Sequence, residues 1–556
     1  MPEPRAWRAA GPRLARLARA VEPRLKHLAR SVRPGARRDT ETAAPRVARL
    51  GGVVKPHVAR VARAVRPRSG GLTTPQLAAV ATVAGLALAA GAVTAAGPWD
   101  SAGQRTAERE RAAAWGGEGG ADHAGDSGTA ARTPVAAPSA VPVLAGIGDG
   151  AANTAKSAPL GPELSTVLGR FLSDGALGPR RSAAVVDVAT GRRLYGRDVS
   201  GALTPASTTK IATAVAALSA AGADHRFTTR TALEPGTGKL VLVGGGDPTL
   251  TARAKADGWA SLRTLADRTA AALKKRHTAS VTLSYDASLF TGPALHPIGA
   301  NENLAPVTAL AVDEGRRDGS SSGPAERGTD PAGDAARAFG TLLRARGVTT
   351  TGGTAAAAVP AAKASARAAT LASVQSPPLS EVVERMLTNS DNDIAEALAR
   401  QTALALGGQP SFDGGAAAIR AQLDKLGLPL AGAAFHDGSG LNRDDRLTAD
   451  LLTRLLATAG SRAHPELRPV LTGLPVAGFT GTLSDRYADA ADYAGVGLVR
   501  AKTGTLTGVN TLAGTVVDAD GRLLAFAFLT DGSPDQQGAR AALDRTAAAL
   551  AGCGCR

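Results

Sequence analysis

Residues 203–221 read LTPASTTKIATAVAALSAA, and the fold follows from how this stretch is read. From Ile211 onward it is helical in character, a run of small and apolar residues without glycine or proline. Thr204 suits an N-cap and Pro205 the first helical position, where a missing N–H is tolerated. Ser207 then falls in the first turn, and Lys210 lies three residues on, on the same face. A serine hydroxyl is a poor nucleophile without a base beside it. A lysine serves as that base once burial or a neighbouring cation lowers its pKa. The free N–H groups of a helix start also suit a developing oxyanion. Of the eleven lysines in the chain, only Lys210 has a serine three residues before it. Taken alone, the tetrapeptide also fits an exposed i, i+3 pair on a surface helix.

Two further stretches carry chemistry. LTNSDNDIAEALAR holds Ser390-Asp391-Asn392 between two segments of helical pattern, LSEVVERML and DIAEALAR. The triplet is predicted to bend between those helices, where Ser390 and Asn392 can relay a proton and hold a substrate amide. LVRAKTGT places Lys502, Thr503, Gly504 and Thr505 on a strand. Lys502 and the two threonine hydroxyls can bind a carboxylate, and Gly504 lets a substrate backbone approach. An ordinary helix cap and an ordinary strand end explain these two stretches singly. In order, on a helix start, a helix–helix loop and a strand, the three converge on one site.

Ser-x-x-Lys, Ser-x-Asn and Lys-Thr-Gly together resemble the signature set of the serine D,D-peptidase and β-lactamase superfamily. Five more segments are similar to the D-alanyl-D-alanine carboxypeptidase/endopeptidase family, peptidase family S13, the low-molecular-mass class C penicillin-binding proteins. They are VGGGDPTL (243–250), YDASLFTGP (285–293), LAPVTALAVDEG (304–315), DGSGLNRDDRLT (437–448) and GTLSDRY (481–487). The resemblance covers about residues 160–552. It implies an α/β penicillin-binding/β-lactamase-like transpeptidase fold, an antiparallel sheet flanked by helices plus an all-helical part. An inserted domain is expected between the first two motifs, at about residues 230–375.

The resemblance also implies the roles. Ser207 would be acylated by stem peptides of peptidoglycan ending in D-Ala-D-Ala, with Lys210 as base. Ser390 and Asn392 would line the cleft, and Lys502, Thr503, Gly504 and Thr505 would engage the substrate and its carboxylate. The backbone N–H groups of Ser207 and Thr505 would form the oxyanion hole. Water would release the acyl group, and β-lactam antibiotics would trap it. No cofactor and no metal are implied. A Ser-His-Asp hydrolase is the chemical rival, yet Asp437 stands two before Ser439 where a nucleophile elbow needs glycine. No His-Glu-x-x-His occurs, which disfavours a zincin. A cell-wall binding protein with a silent site would need neither Ser207 nor Lys210.

The net charge of +16 is uneven: residues 1–70 hold 18 Lys/Arg against 4 Asp/Glu. Prolines recur every eleven residues from Pro12 to Pro67, and three of the units, those starting at Pro12, Pro23 and Pro56, keep apolar residues at i, i+3, i+7. This basic arm reads either as a helix lying on anionic lipid or as a disordered tail. Residues 77–96, LAAVATVAGLALAAGAVTAA, carry no charge over 20 residues, long enough to span a bilayer. Positive charge before the span predicts a cytoplasmic N-terminus and an extracellular catalytic region. The arm's partner is then anionic membrane lipid and not nucleic acid. A cleaved signal peptide with secretion is the alternative. Residues 97–158, rich in Ala, Gly, Ser, Thr and Pro, predict a disordered linker. Cys553 and Cys555, two residues apart, are poorly placed to staple a fold.

Overall fold

The structure, a computed structural model, describes residues 161–351 and 358–553. The arm 1–70, the apolar run 77–96, the linker 97–158 and Cys555 lie outside the described residues. Among the described residues, no helix is long and apolar enough to cross a membrane.

The chain enters through α1 (Gly161–Leu172), then β1 (Arg180–Asp187) and β2 (Arg193–Arg197), joined through Gly191 at φ +68°. Helix α2 (Thr209–Ala221) follows. A second region runs β3 (Thr228–Leu233), β4 (Lys239–Val243), α3 (Leu262–Lys275), β5 (Ser280–Asp286), α4 (Pro331–Arg344), β6 (Thr349–Thr351) and β7 (Ala369–Gln375). Helices α5 (Leu379–Asn389), α6 (Asn392–Ala405), α7 (Phe412–Lys425) and α8 (Ala449–Gly460) come next. The chain closes with β8 (Val499–Leu506), β9 (Val509–Val517), β10 (Leu523–Asp531) and α9 (Gln536–Ala551).

The first sheet has the order β2-β1-β10-β9-β8 and is antiparallel throughout. Two distant ends of the catalytic region therefore close one sheet, the antiparallel sheet that the resemblance implies. Alternation along β10 shows why both faces are covered. Leu524, Phe526 and Phe528 pack with Leu164, Leu168 and Leu172 of α1 and with Leu543 and Leu550 of α9. Ala525, Ala527 and Leu529 point the other way, toward Ile211 and Val215 of α2 and Leu452 and Leu456 of α8. Helix α2 is buried from Thr209 through Leu218. An Ala-rich helix that is apolar all round can sit at the centre of the molecule, against sheet and helices alike. That burial carries Ser207 and Lys210 to the junction of both parts.

The second sheet, order β6-β5-β4-β3-β7, lies wholly within the insertion between the first two motifs. Strand β3 pairs antiparallel with β4 and β7, while β4–β5 and β5–β6 are parallel. Its core joins Leu240, Leu242 and Leu283 to Leu262 and Leu265 of α3 and to Phe339 and Leu343 of α4.

Candidate active site

Ser207 sits in a 3-10 turn, Ala206–Thr208, that leads into α2. Thr204 and Pro205 do not cap and open the helix as their residue types predict. The Thr204 hydroxyl donates to the Arg443 carbonyl at 3.4 Å and accepts from Arg446 Nη1 at 3.1 Å. The turn is instead tied to β9. Thr511 Oγ1 and Thr208 Oγ1 donate to the Pro205 carbonyl at 2.9 and 2.7 Å. Ala206 holds φ +48°, an αL backbone that is costly for a residue with a Cβ and is kept here by those anchors.

Lys210 is fully buried, and its Nζ has three acceptors. They are Ser207 Oγ at 2.9 Å, Asn392 Oδ1 at 2.6 Å and the Ser439 carbonyl at 2.7 Å. Burial lowers its pKa to about 8, against the opposing pull of Asp437, Glu396, Asp391 and Asp393. A lysine of this kind supplies free amine near neutral pH, as a general base requires.

The Ser390-Asp391-Asn392 triplet joins α5 to α6. Ser390 is the αL cap that ends α5, at φ +57°. Asp391 is the N-cap of α6, accepting from Ile394 N–H at 3.0 Å. The two helices thus stop and start around the triplet, leaving Ser390 and Asn392 turned to the cleft. Asn392 Nδ2 donates to the Asn303 carbonyl at 3.0 Å, so its Oδ1 faces Lys210.

Lys502, also fully buried, comes from β8. Its Nζ donates to Ser390 Oγ at 2.8 Å and to the Thr503 carbonyl at 2.7 Å. Burial drives its pKa well below the ordinary value, with the Lys210 and Arg486 charges adding to the effect. Thr503 Oγ1 donates to Thr482 Oγ1 at 3.0 Å. Thr505 is exposed on the same strand. Gly504 has a different reason for being glycine than substrate approach. A Cβ there would lie 2.0 Å from Thr511 Oγ1 and 2.7 Å from the Pro205 carbonyl. The bare backbone lets β8 pack onto the nucleophile's own turn.

The structure therefore brings together two hydrogen-bonded groups, Ser207–Lys210–Asn392 and Ser390–Lys502, near enough for the Lys210 charge to act on Lys502, with Thr503 and Thr505 on the same strand as Lys502. Ser439 is no rival nucleophile: it is fully buried, and its Oγ donates to Asp437 Oδ2 at 3.3 Å. His436 is exposed, and the histidine beside Asp437 is His296, at 3.1 Å. Sequence reasoning missed the Ser439 carbonyl, Glu396, His296 and the Asn303 carbonyl. For Glu396 the signal was there, four residues after Asn392 on one helix face.

Among the described residues, two groups bring ligand atoms within 4.8 Å of one another: His296, Glu396 and Asp437, and Glu314, Asp391 and Asp393. In the first, N–H groups of Gly438, Ser439, Gly440 and Asn442 already fill the carboxylate oxygens. In the second, Arg316 lies 2.7 Å from Glu314 and Arg327 2.8 Å from Asp393. The first reads as a buried structural network, whereas in the second Glu314 Oε1, Asp391 Oδ2 and Asp393 Oδ2 have no hydrogen-bond partner among the described residues.

The sequence model of the D-Ala-D-Ala carboxypeptidase 3 (S13) family matches residues 164–322 and 316–550. Carboxypeptidase Rv3627c of Mycobacterium tuberculosis is 36% identical over 437 residues, 76% of this chain and 91% of that protein. The D-alanyl-D-alanine carboxypeptidase of Actinomadura sp. is 31% identical over 490 residues, 75% of this chain and 88% of that one. Among solved structures, penicillin binding protein 4 of Haemophilus influenzae is similar with a TM-score of 0.56 and 23% identity. That match covers 70% of this chain and 98% of the other, and it concerns the fold.

Proposed function

The chain belongs to the D-Ala-D-Ala carboxypeptidase 3 (S13) family, and from that premise we propose that it cleaves peptidoglycan stem peptides ending in D-Ala-D-Ala through an acyl-enzyme on Ser207. One observation carries the reading: a buried lysine, Lys210, whose Nζ lies 2.9 Å from a half-buried serine hydroxyl. Lys210 takes the proton of Ser207 as the oxygen attacks the carbonyl of the penultimate D-Ala. Backbone N–H groups of Ser207 and Thr505 receive the developing oxyanion. Ser390, bridged to Lys502, passes the proton to the departing amine, and terminal D-alanine leaves. Lys502, Thr503 and Thr505 hold the substrate carboxylate, an interaction that also returns positive charge to Lys502. Water, activated by the same amine, then hydrolyses the ester. A β-lactam acylates Ser207 in the same way and keeps its leaving group attached. Cross-linked peptides are a second substrate, since their D-Ala carbonyl meets the same groups.

The basic arm and the run 77–96 support a single-pass membrane anchor, with the arm on anionic lipid and the catalytic region outside the cell. Protease added to intact cells should remove the catalytic region and spare the arm; a fully protected chain refutes this. For the activity, the full-length chain is incubated with a fluorescent penicillin and, separately, with a stem pentapeptide and cross-linked muropeptides. The expected result is a covalent adduct on Ser207 and release of D-alanine. An adduct that survives in Ser207→Ala refutes the assignment.

A further inference from the structure

One partner of Lys210 belongs to none of the three motifs: the Ser439 carbonyl. A neutral primary amine has two N–H bonds and one lone pair. The Asn392 amide oxygen and the Ser439 carbonyl only accept, so they take both N–H bonds. The lone pair is left facing the Ser207 hydroxyl, the one neighbour with a proton to give. Remove the carbonyl, and Asn392 alone holds the amine against rotation about its last bond.

That carbonyl is itself held. Ser439 N–H donates to Glu396 Oε1 at 2.8 Å and to Asp437 Oδ1 at 3.1 Å. Gly438 N–H is shared by the two Glu396 oxygens, at 3.2 and 3.1 Å. Asp437 also accepts from Gly440 N–H at 2.6 Å and Asn442 N–H at 2.7 Å. His296 Nδ1 accepts from Ile298 N–H at 3.2 Å, which leaves Nε2–H to donate to Asp437 at 3.1 Å. At Gly440 a Cβ would lie 1.9 Å from the Ala206 carbonyl, so the loop rests on the nucleophile's turn. Glu396 follows Asn392 by one helical turn, so one face of α6 supplies both supports.

We propose that Glu396 and Asp437 are positioning residues: by fixing the Ser439 carbonyl they turn the Lys210 lone pair onto Ser207. This rests on the acyl-transfer reading above. The charge of Glu396 has a second effect. Lys210 faces Asp437, Glu396, Asp391 and Asp393, and Lys502 across the cleft. Glu396 faces Asp437, His296, Asp445 and Arg400. Its own pKa is raised to about 7 by burial and by Asp437, so near pH 8 it is an anion that favours the ammonium form of Lys210.

The test measures penicillin acylation rates of the full-length chain from about pH 6 to about pH 9. Glu396→Gln keeps an acceptor for both N–H groups and loses the charge. Its acid limb should move to lower pH by about one unit, with the plateau held within about threefold. Glu396→Ala loses the acceptor, and its plateau should fall about tenfold or more. Thermal melts of both variants verify folding. A folded Glu396→Ala variant whose plateau stays within about threefold of the wild type overturns the proposal. So does an equal loss of plateau in both variants without a shift, which marks a merely structural residue. Failure of the wild type to acylate, or acylation of Ser207→Ala, instead brings down the acyl-transfer reading itself.

Discussion

Gly504→Ala puts the packing of the nucleophile under direct test. The new methyl would stand 2.0 Å from Thr511 Oγ1, 2.7 Å from the Pro205 carbonyl and 3.2 Å from Ala206 Cβ. Ordinary contact needs roughly 3.4 Å or more, so β8 and the 205–208 turn must part by about 1 Å. Overpacking of this kind costs about 1–3 kcal/mol. Losing the Thr511–Pro205 hydrogen bond adds about 1 kcal/mol. The catalytic cost should be larger than the stability cost, because the displaced turn carries Ser207. A misplacement of about 1 Å lowers the rate by about a hundredfold. Penicillin acylation kinetics and denaturant melts of the full-length chain read the two effects. Thr511→Ala removes the atom nearest the new methyl, so the two changes should not add: the double variant should acylate faster than the product of the single effects predicts. Acylation of Gly504→Ala at the wild-type rate would refute the packing argument, and so would strict additivity with Thr511→Ala.

Other outcomes follow from the same geometry. Wild-type acylation should rise with pH below 8 and level off above it, because Lys210 must lose a proton at about 8 to act, with a slope under about tenfold per unit where Glu396 titrates near 7; a flat profile contradicts this. Asp445 has its pKa raised to about 10 by burial and by Asp437, so the folded state binds a proton that the unfolded chain releases near pH 4. Its contribution is full below the unfolded value and is lost as pH rises toward 10. Asp445→Asn, which carries N–H donors permanently, should therefore gain stability relative to wild type between pH 6 and pH 9 in denaturant melts, and a constant difference argues otherwise. Arg327→Met should cost about 3 kcal/mol above pH 7, since it leaves ionised Asp393, whose pKa burial and Asp391 already raise to about 7, without the guanidinium 2.8 Å away; a loss under about 1 kcal/mol would show that Asp393 takes up a proton instead.

The three motifs were legible because each is local: Ser207 to Lys210, Ser390 to Asn392 and Lys502 to Thr505 are fixed by a turn, a cap or a strand. The antiparallel sheet was legible only through the family resemblance, and β1, β2 and β8–β10 are its strands. Thr204 misled because a threonine before a proline has the chemistry of a cap wherever it stands, while its hydroxyl is engaged by Arg443 and Arg446, about 240 residues away. Gly504 misled for a similar reason: an absent side chain says nothing about which side needed the room. His296 could not be found from spacing. It sits in an irregular segment, and its partner Asp437 is 141 residues further on.

The insertion is not separable from the chemistry. It delivers the Asn303 carbonyl that turns Asn392 toward Lys210, and the Ala305 N–H and Arg327 that settle Asp393 at the start of α6. It also delivers His296 beneath the loop that carries the Ser439 carbonyl. Sheet and helices hold the nucleophile and both lysines from the other side. Each wall of the cleft therefore contains buried charges whose partners come from the opposite wall. An unpaired buried charge costs several kcal/mol, so opening the two walls is opposed by more than apolar contact. A site built this way holds Lys210 and Ser207 in register before substrate arrives, which is what a base acting across one hydrogen bond requires.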